Sequence, residues 1–315
     1  MTATLFRAER GYAGLALATA PDRLIAATRD GTIEVWSLAE LDAAPSVVRA
    51  AFLRPTRVFA SGLPAIHRLA VHGSLAAVAG AGAVQLHDLV RGSLVRELPI
   101  ARGARCEALA FTSDGRHLLV AADERIATIE VATGRIVDQV SGGERTPSIA
   151  VHPGGAVAHL ACHQGGSRLV VDQLRDGVHR AGAPRSLDLA CDVATSACFS
   201  PDGSLLALAT RDVQIHRVAD LSLTHAFDYW GEPVAAPAAR SVEARWSTIA
   251  FTADGRHLVG GTPLGSIVVW DIALGRTTAR HARHDEAVVA VAVDPGGERI
   301  FSCAEDRTLR AGPLR

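Results

Sequence analysis

The 315-residue chain contains no lysine and no asparagine, so all 32 of its basic side chains are arginine. That excludes a Schiff-base or general-base lysine and any N-glycosylation acceptor. No run of residues approaches the roughly 20 apolar positions of a membrane-crossing helix. Formal net charge is −1, too little to create a field that draws the chain to nucleic acid or an anionic membrane. Aromatic residues make up only 4% of the chain, so a local concentration of them is informative. The five cysteines, Cys106, Cys162, Cys191, Cys198 and Cys303, are odd in number, scattered and mostly inside expected strands. They read as small buried thiols of a reducing compartment, not as a disulfide framework.

What is present is a pattern of short strands. Residues Trp246 to Gly275 read WSTIAFTADGRHLVGGTPLGSIVVWDIALG. Three runs, Thr248 to Phe251, His257 to Gly261 and Ser266 to Trp270, are each about 5 residues long, which suits strands and is too short for helices. Asp254 and Gly255 mark a tight turn between the first two, because Asp bonds its own backbone and Gly accepts positive φ. The same turn recurs as APDR at Ala20, HGS at His72, TSDG at Thr112, HPGG at His152, SPDG at Ser200, TADG at Thr252 and DPGG at Asp294. The intervals are 52, 40, 40, 48, 52 and 42 residues, the mark of a repeat architecture. A lone three-stranded meander cannot bury its own faces, so each repeat needs its neighbours.

With seven such repeats the chain resembles the WD-repeat family of β-propellers. The resemblance implies an all-β, seven-bladed β-propeller of four-stranded antiparallel blades. It covers nearly the whole chain, but the signature residues are sparse. Trp270 with Asp271 is the one full WD pair, and Trp36 is followed by Ser37. His87, Ile129, Val171, His216 and Gly312 stand at the equivalent places. A chain of 315 residues exceeds the usual size of one layered core. A ring of blades escapes that limit, since each blade has a local core, and residues 1–315 read as a single propeller.

Met1 to Ala20 imitates a signal peptide, with Arg7 and Arg10 ahead of GYAGLALATA. The apolar run is short, contains glycine and follows Glu9, so it reads instead as strand. Gly14 to Thr19 opens blade 1, and residues about 3–8 complete blade 7, whose own sequence stops after its third strand. The resemblance implies this closure of the ring by the N-terminal strand, which also removes an open sheet edge. For the outer strand of blade 1 two segments compete, Val47 to Ala51 and Arg57 to Ala60. Arg49, Arg54 and Arg57 there give a basic edge, read as a strand edge defended by charge.

Three groups of residues invite a functional reading. His152, His159, Cys162 and His163 in blade 4 are metal-ligand types. On one strand, however, His159 and His163 lie about 13 Å apart and Cys162 faces the other way, so no metal and no cofactor is expected. His284, Ser302 and Asp306 are the residue types of a nucleophilic triad. They also match the structural hydrogen-bond set of WD repeats, and with Trp36, Trp270 and Asp271 they are assigned structural roles. No nucleophile elbow accompanies Ser302, so no catalytic residue is assigned.

The third group is the insertion from Phe227 to Trp246, FDYWGEPVAAPAARSVEARW. Tyr229, Trp230 and Trp246 with Arg240 and Arg245 have the composition of binding hot spots. In the resemblance this connection lies on the channel-mouth face, where its aromatics either meet a partner or fold down to plug the channel. Arg102, Arg105, Arg145 and Arg211, in loops of the same face, complete the candidate partner-binding set. Their mixture with acidic residues suits protein recognition better than a nucleic-acid backbone, which wants a stripe of one sign. The expectation is a cytoplasmic, bacterial-type, non-enzymatic scaffold, monomeric on its own. It binds one or more proteins and neither nucleic acid nor membrane. The alternatives are a specificity or sensor subunit of a bacterial signalling or defence assembly, and an enzyme using the propeller channel. For the last, no repeated acidic position appears at the inner strand ends.

Overall fold

The computed structural model describes the chain except residues 1–2, 8–11, 19–22, 44–53, 99, 101–103, 164–165, 180–183, 190–193, 229 and 235–246. Its strands form seven antiparallel sheets, six built from consecutive strands of one repeat and the seventh completed by a strand from the N-terminal end. Blade 1 is Tyr12–Ala18, Arg23–Thr28, Thr32–Ser37 and Arg57–Ala60, so of its two candidate outer strands Arg57–Ala60 takes the place, paired with Thr32 to Val35. The other candidate, Val47 to Ala51, lies outside the described residues. A short helix, Leu38–Ala43, follows the third strand. In blade 4 the long third strand, Gly166–Arg175, pairs with Arg185–Leu189 along one half and with the short Val178–His179 at its end.

The first strand of each blade packs against the first strand of the next all the way round, so these strands line the central channel. Blade 7 has Val288–Val293, Arg299–Ala304 and Thr308–Pro313, and its outermost strand is Ala3–Arg7 from the other end of the chain. The ring is thus closed by the N-terminal strand.

The repeating turn has one hydrogen-bond scheme. In TSDG, the Thr112 hydroxyl donates to Asp114, Asp114 accepts the Arg116 amide at 3.0 Å, and the Gly115 amide donates to the Thr112 carbonyl at 2.8 Å. Ser200 with Asp202, and Thr252 with Asp254, repeat it. These carboxylates sit below the ordinary range because hydroxyl and amide donors favour the charged form, and that of Asp202 falls to about 2.

Apolar faces meet between blades. Trp36, 1% exposed, packs with Leu24 and with Phe301 and Leu309 of blade 7. Trp270, fully buried, packs against Val213, Ile215 and Phe227 of blade 5, its ring centroid 5.4 Å from that of Phe227. Each tryptophan therefore fills the interface with the preceding blade.

The outer strands reach forward. Arg57 of blade 1 donates to the Arg91 carbonyl of blade 2 at 3.1 Å, and Arg96 of blade 2 to the Ala132 carbonyl of blade 3 at 3.2 Å. Asp138 of blade 3 accepts the His179 amide of blade 4 at 2.7 Å, and Arg185 of blade 4 donates to the Ala219 carbonyl of blade 5 at 2.7 Å. The basic edge at Arg57 is therefore a stitch between blades as well as a charged rim. A guanidinium suits it, since its planar fork holds a carbonyl in fixed geometry better than an ammonium does.

The turn glycines take part in similar contacts. His152 of blade 4 donates through Nε2 to the Gly203 carbonyl of blade 5 at 2.9 Å, and a Cβ on Gly203, whose φ is +71°, would lie 2.1 Å from that nitrogen. Gly297 has nearly the same φ, +69°, with open space around its Cβ position. Gly297→Ala should cost about 1 kcal/mol for the left-handed conformation alone. Gly203→Ala should cost about 2 kcal/mol, because the ring must also move. Urea unfolding of both variants measures the difference, and equal losses would show that the histidine contact contributes nothing.

Candidate partner-binding site

Blade 7 brings together the three residues with triad chemistry. His284 donates through Nδ1 to Asp306 at 3.0 Å, and its Nε2 accepts the Ser302 hydroxyl at 2.8 Å. Burial holds His284 below its ordinary pKa, which keeps the ring neutral and able to accept from Ser302. The Thr308 hydroxyl and amide add bonds to Asp306 at 2.7 and 2.9 Å. Ser302 is 0% exposed, so no substrate reaches its oxygen in this arrangement. The group ties the loop before blade 7 to its second and third strands.

In blades 1, 2, 3, 5 and 6 the penultimate residue of the third strand is Trp36, His87, Ile129, His216 or Trp270, each with a sizeable side chain. In blade 7 it is Gly312, and the space is taken by Arg283. A Cβ on Gly312 would stand 2.9 Å from the Arg283 guanidinium carbon. Arg283 is 1% exposed and donates to the carbonyls of Ile300 at 3.1 Å and Pro313 at 2.6 Å. Burial pulls its pKa down to about 10. Blades 2 and 5 solve the same position with a histidine bonded to a glutamine two residues earlier. His87 meets Gln85, and His216 meets Gln214, both at 3.1 Å.

The insertion leaves the outer strand of blade 5, Leu223–Phe227, and turns back on itself. The Gly231 amide donates to the Asp228 carbonyl at 2.9 Å, and Pro233 bridges to Phe227. Gly231 then fixes this hairpin to blade 6, its carbonyl accepting the Trp270 indole N–H at 3.1 Å and the Thr277 hydroxyl. Trp230, one residue earlier, is 61% exposed. Tyr229, Arg240, Arg245 and Trp246 lie outside the described residues, as does Arg102. Asp271, following the tryptophan, accepts the Leu274 amide at 3.0 Å and Arg256 at 3.3 Å.

A cavity of about 860 Å³ opens at the channel mouth. Its walls come from blades 1, 2, 3, 6 and 7, and its charged groups are Arg29, Arg68, Arg105 and Glu305. Arg29 and Glu305 pair at 3.1 Å across the junction of blades 1 and 7. Of the arginines expected to bind a partner, Arg105 lines this cavity. Arg145, in the loop before blade 4, pairs with Glu107 of the first strand of blade 3 at 3.3 Å. Arg211 stands at the turn between the second and third strands of blade 5, and neither it nor Trp230 lines the cavity. Sequence reasoning passed over Arg68, which precedes an unremarkable run of small residues. The stretch Ala76 to Leu86 of blade 2, AAVAGAGAVQL, is near-featureless in sequence, and Ala79 to Ala83 within it line the mouth with small residues.

Among the described residues no group of three or more His, Cys, Asp or Glu is placed to hold a metal ion. In blade 4, His159 is buried while His163 is exposed. The described cysteines are free thiols, and burial pushes those of Cys106, Cys198 and Cys303 up to about 12, where they are poor nucleophiles. No helix of the described residues is long and apolar enough to cross a membrane.

These features define a seven-bladed β-propeller whose blades are WD-like meanders. The family description "WD domain, G-beta repeat" matches residues 275–311, the stretch that carries His284, Ser302 and Asp306. Together with seven blades around one channel, this match supports a WD-repeat propeller. No curated relative matches it. Propellers of this family are commonly protein-interaction scaffolds and typically not enzymes.

Proposed function

We propose that the whole chain acts as one rigid ring and serves as a non-enzymatic scaffold, holding a partner protein on the face that carries the channel mouth. The observation that carries this reading is Trp230, 61% exposed on a hairpin whose next residue is bonded to Trp270 and Thr277. An exposed aromatic on a fixed backbone loses little freedom when it binds, and this is the economy expected of a contact hot spot. Tyr229, Arg240, Arg245 and Trp246 belong to the same connection in the sequence. Buried free thiols agree with a reducing, cytoplasmic setting.

The test is affinity capture from the native organism with the wild-type chain and with Trp230→Ala, Arg240→Ala, Arg245→Ala. A stoichiometric partner should be retained by the wild type and lost by the variant at an unchanged melting temperature. Removing hot-spot side chains of this kind should weaken the complex by about 30-fold or more. Retention of no specific protein by the wild type would count against the scaffold reading.

A further inference from the structure

We propose that the channel mouth over blade 2 binds acidic side chains of a partner polypeptide, with Arg68 and Arg105 holding their carboxylates. This inference deepens the scaffold reading and rests on it.

The opening arises from what blade 2 lacks. At the turn between second and third strands, blades 1, 3, 5 and 7 carry Arg29, Asp123, Arg211 and Glu305, whereas blade 2 has Ala81 and Gly82. The missing side chains leave a cavity of about 860 Å³, within the usual range for ligand sites of roughly 300 to 1,000 Å³. A single small anion fills only a fraction of that space, whereas several residues of an extended peptide fit.

The charge of the walls selects the ligand. Arg68 is half-buried, and its guanidinium is fixed by bonds to two backbone carbonyls, Glu107 and His67. It has no carboxylate within ion-pair distance among the described residues, and the same is true of the exposed Arg105. A partly desolvated cation without a counter-charge is costly, and an incoming carboxylate removes that cost through a charge-assisted bond. The nearby acids are already engaged. Glu305 is held by Arg29 at 3.1 Å, and Glu107 by Arg145 at 3.3 Å and the Thr146 amide at 2.6 Å. Arg68 is oriented before the ligand arrives, and Arg105 at the rim attracts it.

The experiment measures binding of fluorescein-labelled hexaglutamate to the full chain by fluorescence anisotropy, with labelled hexaglutamine as the uncharged control. Hexaglutamate should bind more tightly than hexaglutamine and lose affinity as salt rises. Arg105→Gln, at an exposed position with no side-chain bond among the described residues, should weaken it about 10-fold. Ala81→Asp sets a carboxylate into the mouth from a residue already at φ 49°, a conformation Asp tolerates. It should weaken binding by a similar factor. Equal affinity for the two peptides overturns the proposal, as does unchanged affinity in both variants. Binding of inorganic phosphate without binding of hexaglutamate also overturns it, in favour of a phosphate-ion site. A partner captured through Trp230 and retained by both mouth variants would defeat this inference and leave the scaffold standing.

Discussion

Replacing Arg283 with alanine should lower the stability of the ring by about 3 kcal/mol, and a tryptophan at position 312 should restore much of the loss. The first effect follows from the contacts of a side chain that is 1% exposed. Truncation strands the carbonyls of Ile300 and Pro313 and opens a void beside Gly312. Two lost charge-assisted bonds at about 1.5 to 3 kcal/mol each, less the relief of no longer burying a cation, leave a net cost of that order. The Gly312→Trp change alone should also destabilise, since its Cβ meets the guanidinium at 2.9 Å. In the double variant the indole enters the space that Arg283 has vacated beside Ile300, the partner of position 312 across the sheet. Each single change should therefore be harmful and the pair much less so, a coupling of at least about 2 kcal/mol in a double-mutant cycle. Chemical unfolding of the four proteins measures it. Additive losses would mean that the arginine and the missing tryptophan do not share one site.

The Arg283 substitution also shows where the sequence was legible and where it was not. The period of the turns is enough to count the blades, because the hydrogen bonds that shape each TSDG-like turn come from residues within a few positions of it. Ring closure is what the family resemblance implies, and Ala3–Arg7 takes that place beside Thr308–Pro313. His284, Ser302 and Asp306 could be grouped because their spacing matches a repeated pattern, and the structure joins them at 2.8 and 3.0 Å. The gap at Gly312 was legible too, but its filling was not. Arg283 follows the outer strand of blade 6 and reaches Gly312 in blade 7, 29 positions along the chain, and an arginine next to a loop histidine looks like any solvated charge. Likewise the fixing of Gly231 to Trp270 depends on a backbone carbonyl, which leaves no trace in residue type. The channel-mouth cavity escaped notice because it is made by absences. Small residues at Gly80 to Ala83 weaken the repeat signal and open the site at the same time.

Acid should unfold the ring at a pH where exposed histidines are harmless, and His159 should account for much of the effect. His159 is 4% exposed, its Nδ1 has no hydrogen-bond partner, and burial lowers its pKa from the ordinary 6.5 to about 4, with nearby His179 adding to the shift and Asp172 opposing it. The folded state thus binds this proton later than the unfolded chain does. Below pH 6.5 the unfolded chain gains protons that the folded one refuses, so stability is full near neutrality and falls as pH drops from about 6.5 to about 4. For His159 alone the loss is about 2 kcal/mol by pH 5. Burial lowers His87, His216, His257 and His284 in the same direction, and their losses add in the same window. The turn carboxylates have depressed values and so contribute stability that is lost only at lower pH, below the unfolded carboxylate range. Urea unfolding at pH 8 and pH 5 should therefore show a marked fall for the wild type. His159→Leu, which keeps an apolar side chain in that space, should recover about 2 kcal/mol of it at pH 5 while changing little at pH 8. A wild-type stability that stays level across this range would contradict the neutral, buried state of His159. A His159→Leu variant as acid-sensitive as the wild type would shift the effect to the histidines that replace tryptophan in blades 2 and 5.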